Sequence, residues 1–227
     1  MSLDPKDYAP GTVVIPCNTL SRYSVFQHSL SRLSVPPGTA IMHGVGDSIS
    51  GNINRGIRTL GPEEHWVWIM NDDHQFNGKT LLKLLARDLP IVGPLNLQRV
   101  APHNPVLYAE RLGPCEHRRL SWPDIAGKTG LFEVSALGGA GMLIKREVLD
   151  KIGDPWFYDY VGPPEAYMDP KKRRFSPNED MCFSERVVDL GYKLFVDLDV
   201  LMGHTTACTF SPVRMLDGTW EVAYENS

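Results

Sequence analysis

Short β-branched and apolar runs alternate with stretches of helical periodicity through the first ~95 residues, and this alternation constrains the fold more than any other feature. "TVVI" at 12–15 is a buried strand stopped by Pro16. Val25, Phe26, Leu30 and Leu33 then recur at helical spacing. "TAIM" at 39–42 is a second strand, running into the flexible "HGVGDS". Ile49, Ile53, Ile57 and Leu60 mark one face of a helix closed by Gly61 and Pro62. "WVWIM" at 66–70 is a third strand, Leu81, Leu82, Leu85 and Leu89 mark another helix, and "IVGPL" at 91–95 another strand. The strands are continuously apolar rather than alternating, as in a sheet covered on both faces. The pattern predicts an α/β fold with a mostly parallel central sheet flanked by helices.

In such sheets ligands collect beyond the carboxyl ends of the strands. Three polar clusters, "PCN", "HGVGDS" and "NDDH", follow strand ends. The last is the most demanding, because Asp72 and Asp73 place two like charges side by side. A turn is one reading, supported by Asn77-Gly78 nearby. The other is a divalent cation held by carboxylate oxygens.

Further along, the stretch from Gln98 to Lys128 is rich in Pro, His, Arg and Gly without a clear period, and is expected to be loops or an irregular insertion. "SALGGAGMLIKREVLDKIG" gives a glycine-rich turn, a short strand and a helix. Its glycines, Gly138, Gly139 and Gly141, match neither the P-loop nor the dinucleotide fingerprint. Residues 154–177 are expected to form a long surface loop. The 178–191 segment is helical in pattern and opens on Glu179 and Asp180, acids that a helix dipole alone would favour. "KLFVDLDVLMGH" is a strand ending at His204, which by itself reads as a structural hydrogen-bonder. With no internal repeat and no linker, one domain is expected.

A net charge of −4 argues against a general electrostatic grip on nucleic acid. No apolar stretch approaches the ~20 residues of a membrane span. The start "MSLDPKDYAPG" shows no signal peptide. Cys17, Cys115, Cys182 and Cys208 lack zinc-type spacing, so free thiols in a reducing cytoplasm are expected.

Taken in order, these elements resemble a glycosyltransferase of the GT-A fold, similar to the family-2-like group that uses nucleotide-sugar donors. "IMNDDH" resembles that group's Asp-x-Asp element, and "NINRGI" the "ARNxGI" helix before it. "GGAGMLIKREVLDKIGDPWF" resembles "GGxxmLirRevleeiGxfde". "NEDMCFSERVVDLGYKLFVDLDVLMGH" resembles "EDxdfcxRlrxxGykiyvdpxvxxgH". The resemblance covers most of the chain and implies a single domain over 1–227, with a nucleotide-binding half (1–97), an acceptor and catalytic half (98–204) and a C-terminal tail (205–227). It implies that Asp73 and His204 bind a metal, Mn2+ or Mg2+. Asn71 stands where the family's first Asp usually is, a departure from the pattern, with Asp72 as the middle residue. Asp180 matches the general base of inverting members, with Glu179 beside it. Pro16, Cys17 and Asn18 fall where the nucleobase sits, and Asp47 and Asn54 match the nucleotide site more loosely. Gly138, Gly139, Ala140 and Gly141 would approach donor sugar or acceptor.

The implied reaction moves a sugar from a UDP- or GDP-linked donor to a hydroxyl of a glycan or other acceptor. A cation neutralises the departing diphosphate, and a carboxylate takes the acceptor proton. A loop over 158–176 could close on the donor, bringing Lys171 and Arg174 to the diphosphate. Two other functions suit the same residues: a metal-dependent phosphoester hydrolase or nucleotidyltransferase, and a non-catalytic nucleotide-sugar or glycan-binding module.

Overall fold

The computed structural model describes residues 3–17, 24–114, 116–159, 179–206 and 208–226. The first part of the chain runs β1 (Thr12–Pro16), α1 (Ser24–Ser31), β2 (Ala40–Gly44), α2 (Ile49–Ile57), β3 (Trp66–Ile69), β4 (His74–Phe76), α3 (Thr80–Leu85) and β5 (Ile91–Leu95). There follow β6 (Leu107–Gly113), β7 (Glu116–Arg119), α4 (Trp122–Ile125), β8 (Leu131–Val134), β9 (Ala136–Leu137), β10 (Leu143–Lys145) and α5 (Arg146–Ile152). The chain then continues through α6 (Glu179–Asp189), β11 (Leu194–Thr205), β12 (Cys208–Arg214) and β13 (Trp220–Asn226).

The main sheet has the order β13-β12-β11-β5-β10-β3-β1-β2. β2, β1, β3, β5 and β11 run in one direction, and β10 lies antiparallel between β3 and β5. This is the mostly parallel α/β sheet expected from the pattern. Successive residues of a strand point to opposite faces, which divides the core in two. Val14, Val67, Ile69 and Ile144 pack with Ile53 and Ile57 of α2, Val148 and Leu149 of α5, and Phe183 and Val187 of α6. Val13, Ile15, Trp66, Trp68 and Leu143 pack on the other face with Phe26 of α1 and Leu81 and Leu84 of α3. Each such buried side chain contributes about 1.5–3 kcal/mol. Gly56 lets α2 lie directly on β1, since a β-carbon there would overlap Val14.

The topology puts all the carboxyl ends of the parallel strands at one edge. Because β10 runs the other way, the residues just before it reach the same edge. β11 is long enough to change partners: its first part pairs with β5 and β8, its last part with β4 and β12. The register shifts between Asp197 and Leu201. There the fully buried Asp197 carboxylate accepts from Arg87 Nε at 2.6 Å and from Asp199 N at 3.0 Å. Those bonds occupy a charge that would otherwise be costly in the interior.

Two expectations are corrected. The 98–128 stretch is not only loop: β6 and β7 form a hairpin that joins β9 in a second sheet, and α4 follows. The hairpin faces solvent with charged residues and buries little beyond Leu107, so it carries no alternating apolar pattern. The residues after His204 are not a simple tail, since β12 and β13 pair along seven residues and extend the main sheet. Among the described residues no helix is long and apolar enough to cross a membrane.

Candidate active site

Asp72, Asp73 and His74 are all buried at the carboxyl edge, just beyond β3. They are held there by β11: Thr205 N donates to the Asp73 carbonyl at 2.7 Å, and His74 lies opposite His204 in the β4–β11 register. The two imidazoles stack with centroids 4.4 Å apart. His204 Nδ1 is 2.8 Å from the Leu97 carbonyl, an oxygen that can only accept. That nitrogen therefore carries a proton, and Nε2 is the atom turned into the cluster.

Nε2 of His204 lies 3.3 Å from Asp73 Oδ2 and 3.3 Å from Nε of Arg99. Arg99 also donates from Nη2 to Asp73 Oδ2. His74 Nδ1 approaches Asp73 Oδ1 to 2.9 Å without hydrogen-bond alignment. Burial alone would raise the Asp73 carboxyl, but contacts from His204 and His74 outweigh it and hold the group well below the usual carboxylate range. Burial pushes the His74 imidazole down, against the pull of Asp73, so the ring favours its neutral form. One carboxylate and two imidazoles thus offer ligand atoms within 4.8 Å of one another. This donor set fits a divalent cation.

The acidic pair at the start of α6 is a separate cluster with the opposite electrostatics. Asp180 Oδ2 accepts from Gly139 N at 3.2 Å and Oδ1 from Met181 N at 2.8 Å. Burial raises Asp180 to about 6, against those hydrogen bonds. Burial, and then the Asp180 charge, raise Glu179 to about 7. Asp159 adds to the repulsion on both and accepts from Ser50 Oγ at 3.2 Å. Tyr108, whose phenol is raised first by burial, senses the Asp180 charge and lies 3.3 Å from Arg119 Nη2.

The glycine turn connects the two clusters. Gly139 meets Asp180, while Gly141 has a φ of +81° and lies against Pro94 and Met202, two residues before His204. Asn96 Nδ2 donates to the Ala140 carbonyl at 2.8 Å and Trp68 Nε1 to that of Gly141 at 2.9 Å, so the turn is pinned between β3, β5 and β11. Gly138 completes it, packed against Val106.

The residues expected at the nucleotide share this edge in part. Pro16 pairs with Gly44, and Cys17 N donates to the Gly44 carbonyl at 2.7 Å. The buried Cys17 thiol lies 3.5 Å from the Ile15 carbonyl. Asp47 is exposed, accepts from Ser48 N at 2.7 Å and pairs with Arg55 at 3.6 Å. Asn71 is half-buried beyond β3. Asn54 points away from this group: its amide donates to the Phe157 carbonyl at 2.7 Å and accepts from Phe157 N at 2.9 Å. Asn52, which sequence reasoning passed over, ties the ends of β1 and β2 together through the carbonyls of Cys17 and Asp47. Asn18 and Lys171 to Arg174 lie outside the described residues, as does the 158–176 loop beyond Asp159.

His74 and Arg99 were also missed. His74 was visible in "NDDH", but only its pairing with His204 marks it. Arg99 sits in a stretch with no periodic signal. A cavity of about 450 Å³ at the opposite edge, near Trp66 and Lys145, is lined by none of the candidate residues.

No protein-family model and no curated protein sequence matches the chain. The structure is similar to that of A197 from STIV, with a TM-score of 0.61 and 12% identity, over 96% of this chain and 95% of that one. It is similar also to GalNAc-T7 crystallised with UDP, GalNAc and Mn2+, with a TM-score of 0.56 and 11% identity, over 88% of this chain and 44% of that one. The fold is the GT-A fold. At these identities the likeness is one of fold, and what the site does is a separate question.

Proposed function

We propose that the protein is a metal-dependent glycosyltransferase that moves a hexosyl unit from a nucleoside-diphosphate sugar to a hydroxyl acceptor. The observation that carries this reading is the convergence of the Asp73 carboxylate and the His204 Nε2 lone pair at the carboxyl edge of a GT-A sheet. With His74 they form a set of ligand atoms within 4.8 Å of one another, a spacing that suits one divalent ion. The GalNAc-T7 structure, which has the same fold, was crystallised with UDP, GalNAc and Mn2+.

Asp73, His204 and His74 would hold the ion. Two imidazoles favour Mn2+ over Mg2+, which prefers oxygen ligands. When bound, the cation supplies Lewis-acid neutralisation of the diphosphate leaving group. Asp180 serves as general base, taking the proton of the acceptor hydroxyl, and its raised pKa of about 6 makes it a better base than an exposed carboxylate. The Asp159 charge adds to the burial that keeps that value high. Gly138 to Gly141 bring backbone close to the sugar, because side chains there would occupy the space. Pro16, Cys17 and Asp47 lie on the base side, their loops joined by Asn52.

Calorimetric titration of UDP and GDP, with and without Mn2+, tests the reading on wild type and Asp73→Asn. The expected result is binding that needs the metal and weakens at least about tenfold in the variant. Failure of both nucleotides to bind wild type in Mn2+ would sink the donor-site reading. Consumption of donor only when an acceptor is present separates transfer from hydrolysis.

A further inference from the structure

Arg99 belongs to none of the roles above, yet it makes the closest charged contact in the metal cluster. It reaches Asp73 Oδ2 through Nη2 and the His204 lone pair through Nε, so one guanidinium meets the same two acceptor atoms that a divalent ion would use. The two partners differ in exposure: the Asp73 side chain is 8% exposed, whereas that of Arg99 is 45% exposed. Asp73 is fixed by its strand-end position and by Thr205. Arg99 lies beyond β5 on a long stem, half in solvent, and can leave without disturbing the core.

We infer that Arg99 is a resident counter-cation that occupies Asp73 and His204, must be displaced by the divalent ion, and then turns its guanidinium to the diphosphate arriving with it. The inference rests on the donor-site reading above. Two cations cannot share one carboxylate oxygen and one imidazole lone pair at contact distance, so binding of the metal and of Arg99 is mutually exclusive. Among the described residues, Asp73 is the carboxylate that Arg99 pairs with. A diphosphate beside Asp73 supplies another anion, and the planar fork of Arg suits phosphate oxygens. Arg99 thereby couples metal and nucleotide: free Mn2+ pays for removing it, whereas Mn2+ with a diphosphate gives it a new partner. The site would then load weakly with metal alone and strongly with both.

The test is Mn2+ binding without nucleotide, followed by electron paramagnetic resonance of free Mn2+, for wild type, Arg99→Gln and Asp73→Asn. Arg99→Gln keeps most of the side-chain length and removes the charge. It should bind Mn2+ alone about tenfold more tightly than wild type, within the usual range of coupling between ligands. It should bind UDP or GDP more weakly at saturating Mn2+. Without metal its melting temperature should fall below that of wild type, because Asp73 loses its cation, and Mn2+ should restore it. Arg99→Lys, with a point charge in place of the fork, should retain the metal competition and lose nucleotide affinity. Equal Mn2+ affinity in wild type and Arg99→Gln overturns the inference. If nucleotide binding still depends on Mn2+ and Asp73 in that case, the donor-site reading survives alone. If no Mn2+ binds any of the proteins, even with UDP or GDP, both fall.

Discussion

Two acidic clusters lie on either side of the glycine turn, and the fold treats them in opposite ways. Asp73 is buried among His74, His204 and Arg99, and its carboxyl is held well below the usual range. Asp180 is half-buried beside Glu179 and near Asp159, and its carboxyl is pushed up to about 6. Desolvation acts upward on both. At Asp73 the contacts from His204 and His74 outweigh it, whereas at Asp180 the hydrogen bonds from Gly139 and Met181 do not, and the Asp159 charge adds to it. An acid that stays ionised is suited to a cation, and an acid that exchanges its proton near neutrality is suited to proton transfer. Environments that push two like residues apart in this way separate their roles.

Asp180→Asn should break one side of this contrast and leave the other intact. Turnover is expected to fall about 10²–10⁴-fold, while Mn2+-dependent nucleotide affinity, read by calorimetry, stays near wild type. An equal loss of nucleotide affinity would show that the two clusters are not functionally separate.

Stability against pH gives the next largest effect. The raised Glu179 and Asp180 carboxyls keep protons in the folded state that the unfolded chain releases near pH 4. Stability therefore falls as pH rises from about 4 through about 7. The depressed Asp73 works the other way: its contribution is present above pH ~4 and lost as pH falls through its lower folded value. Asp180→Asn should thus be more stable than wild type at pH 8, by about 1–3 kcal/mol, and show little gain at pH 4. Thermal melts across that range check the sign, and a gain confined to low pH would contradict the assignment.

Asp159→Asn sharpens the comparison with a smaller change. Removing the charge that raises Asp180 should lower the midpoint of the rate–pH profile by about half a unit, giving roughly threefold faster turnover on its acid limb. An unmoved midpoint would mean that Asp159 does not act on the base.

Much of this was legible before any coordinates. "TVVI", "WVWIM" and "IVGPL" are strands because they are short, apolar and bounded by breakers, and all three are in the main sheet. "NDDH" and His204 were marked as strand-end groups, and the structure brings them together. The β6–β7 hairpin was not legible, because its residues are charged and exposed and carry no burial pattern. Asn54 was placed near the nucleotide from its motif, yet its amide serves the backbone of Phe157, more than a hundred residues away, and no local pattern encodes that bond.

The sequence by itself determined the layers of the fold, the edge where polar residues gather, and which acids stand there. These follow from periodicity and punctuation, which are local. Only the tertiary structure decided that His74 stacks on His204, that Arg99 reaches Asp73, and that Asp73 and Asp180 titrate in opposite directions. Each of these depends on side chains far apart along the chain meeting in a buried place. There a neighbouring group acts through protein rather than water, and its effect is large enough to shift the titration of the residue beside it.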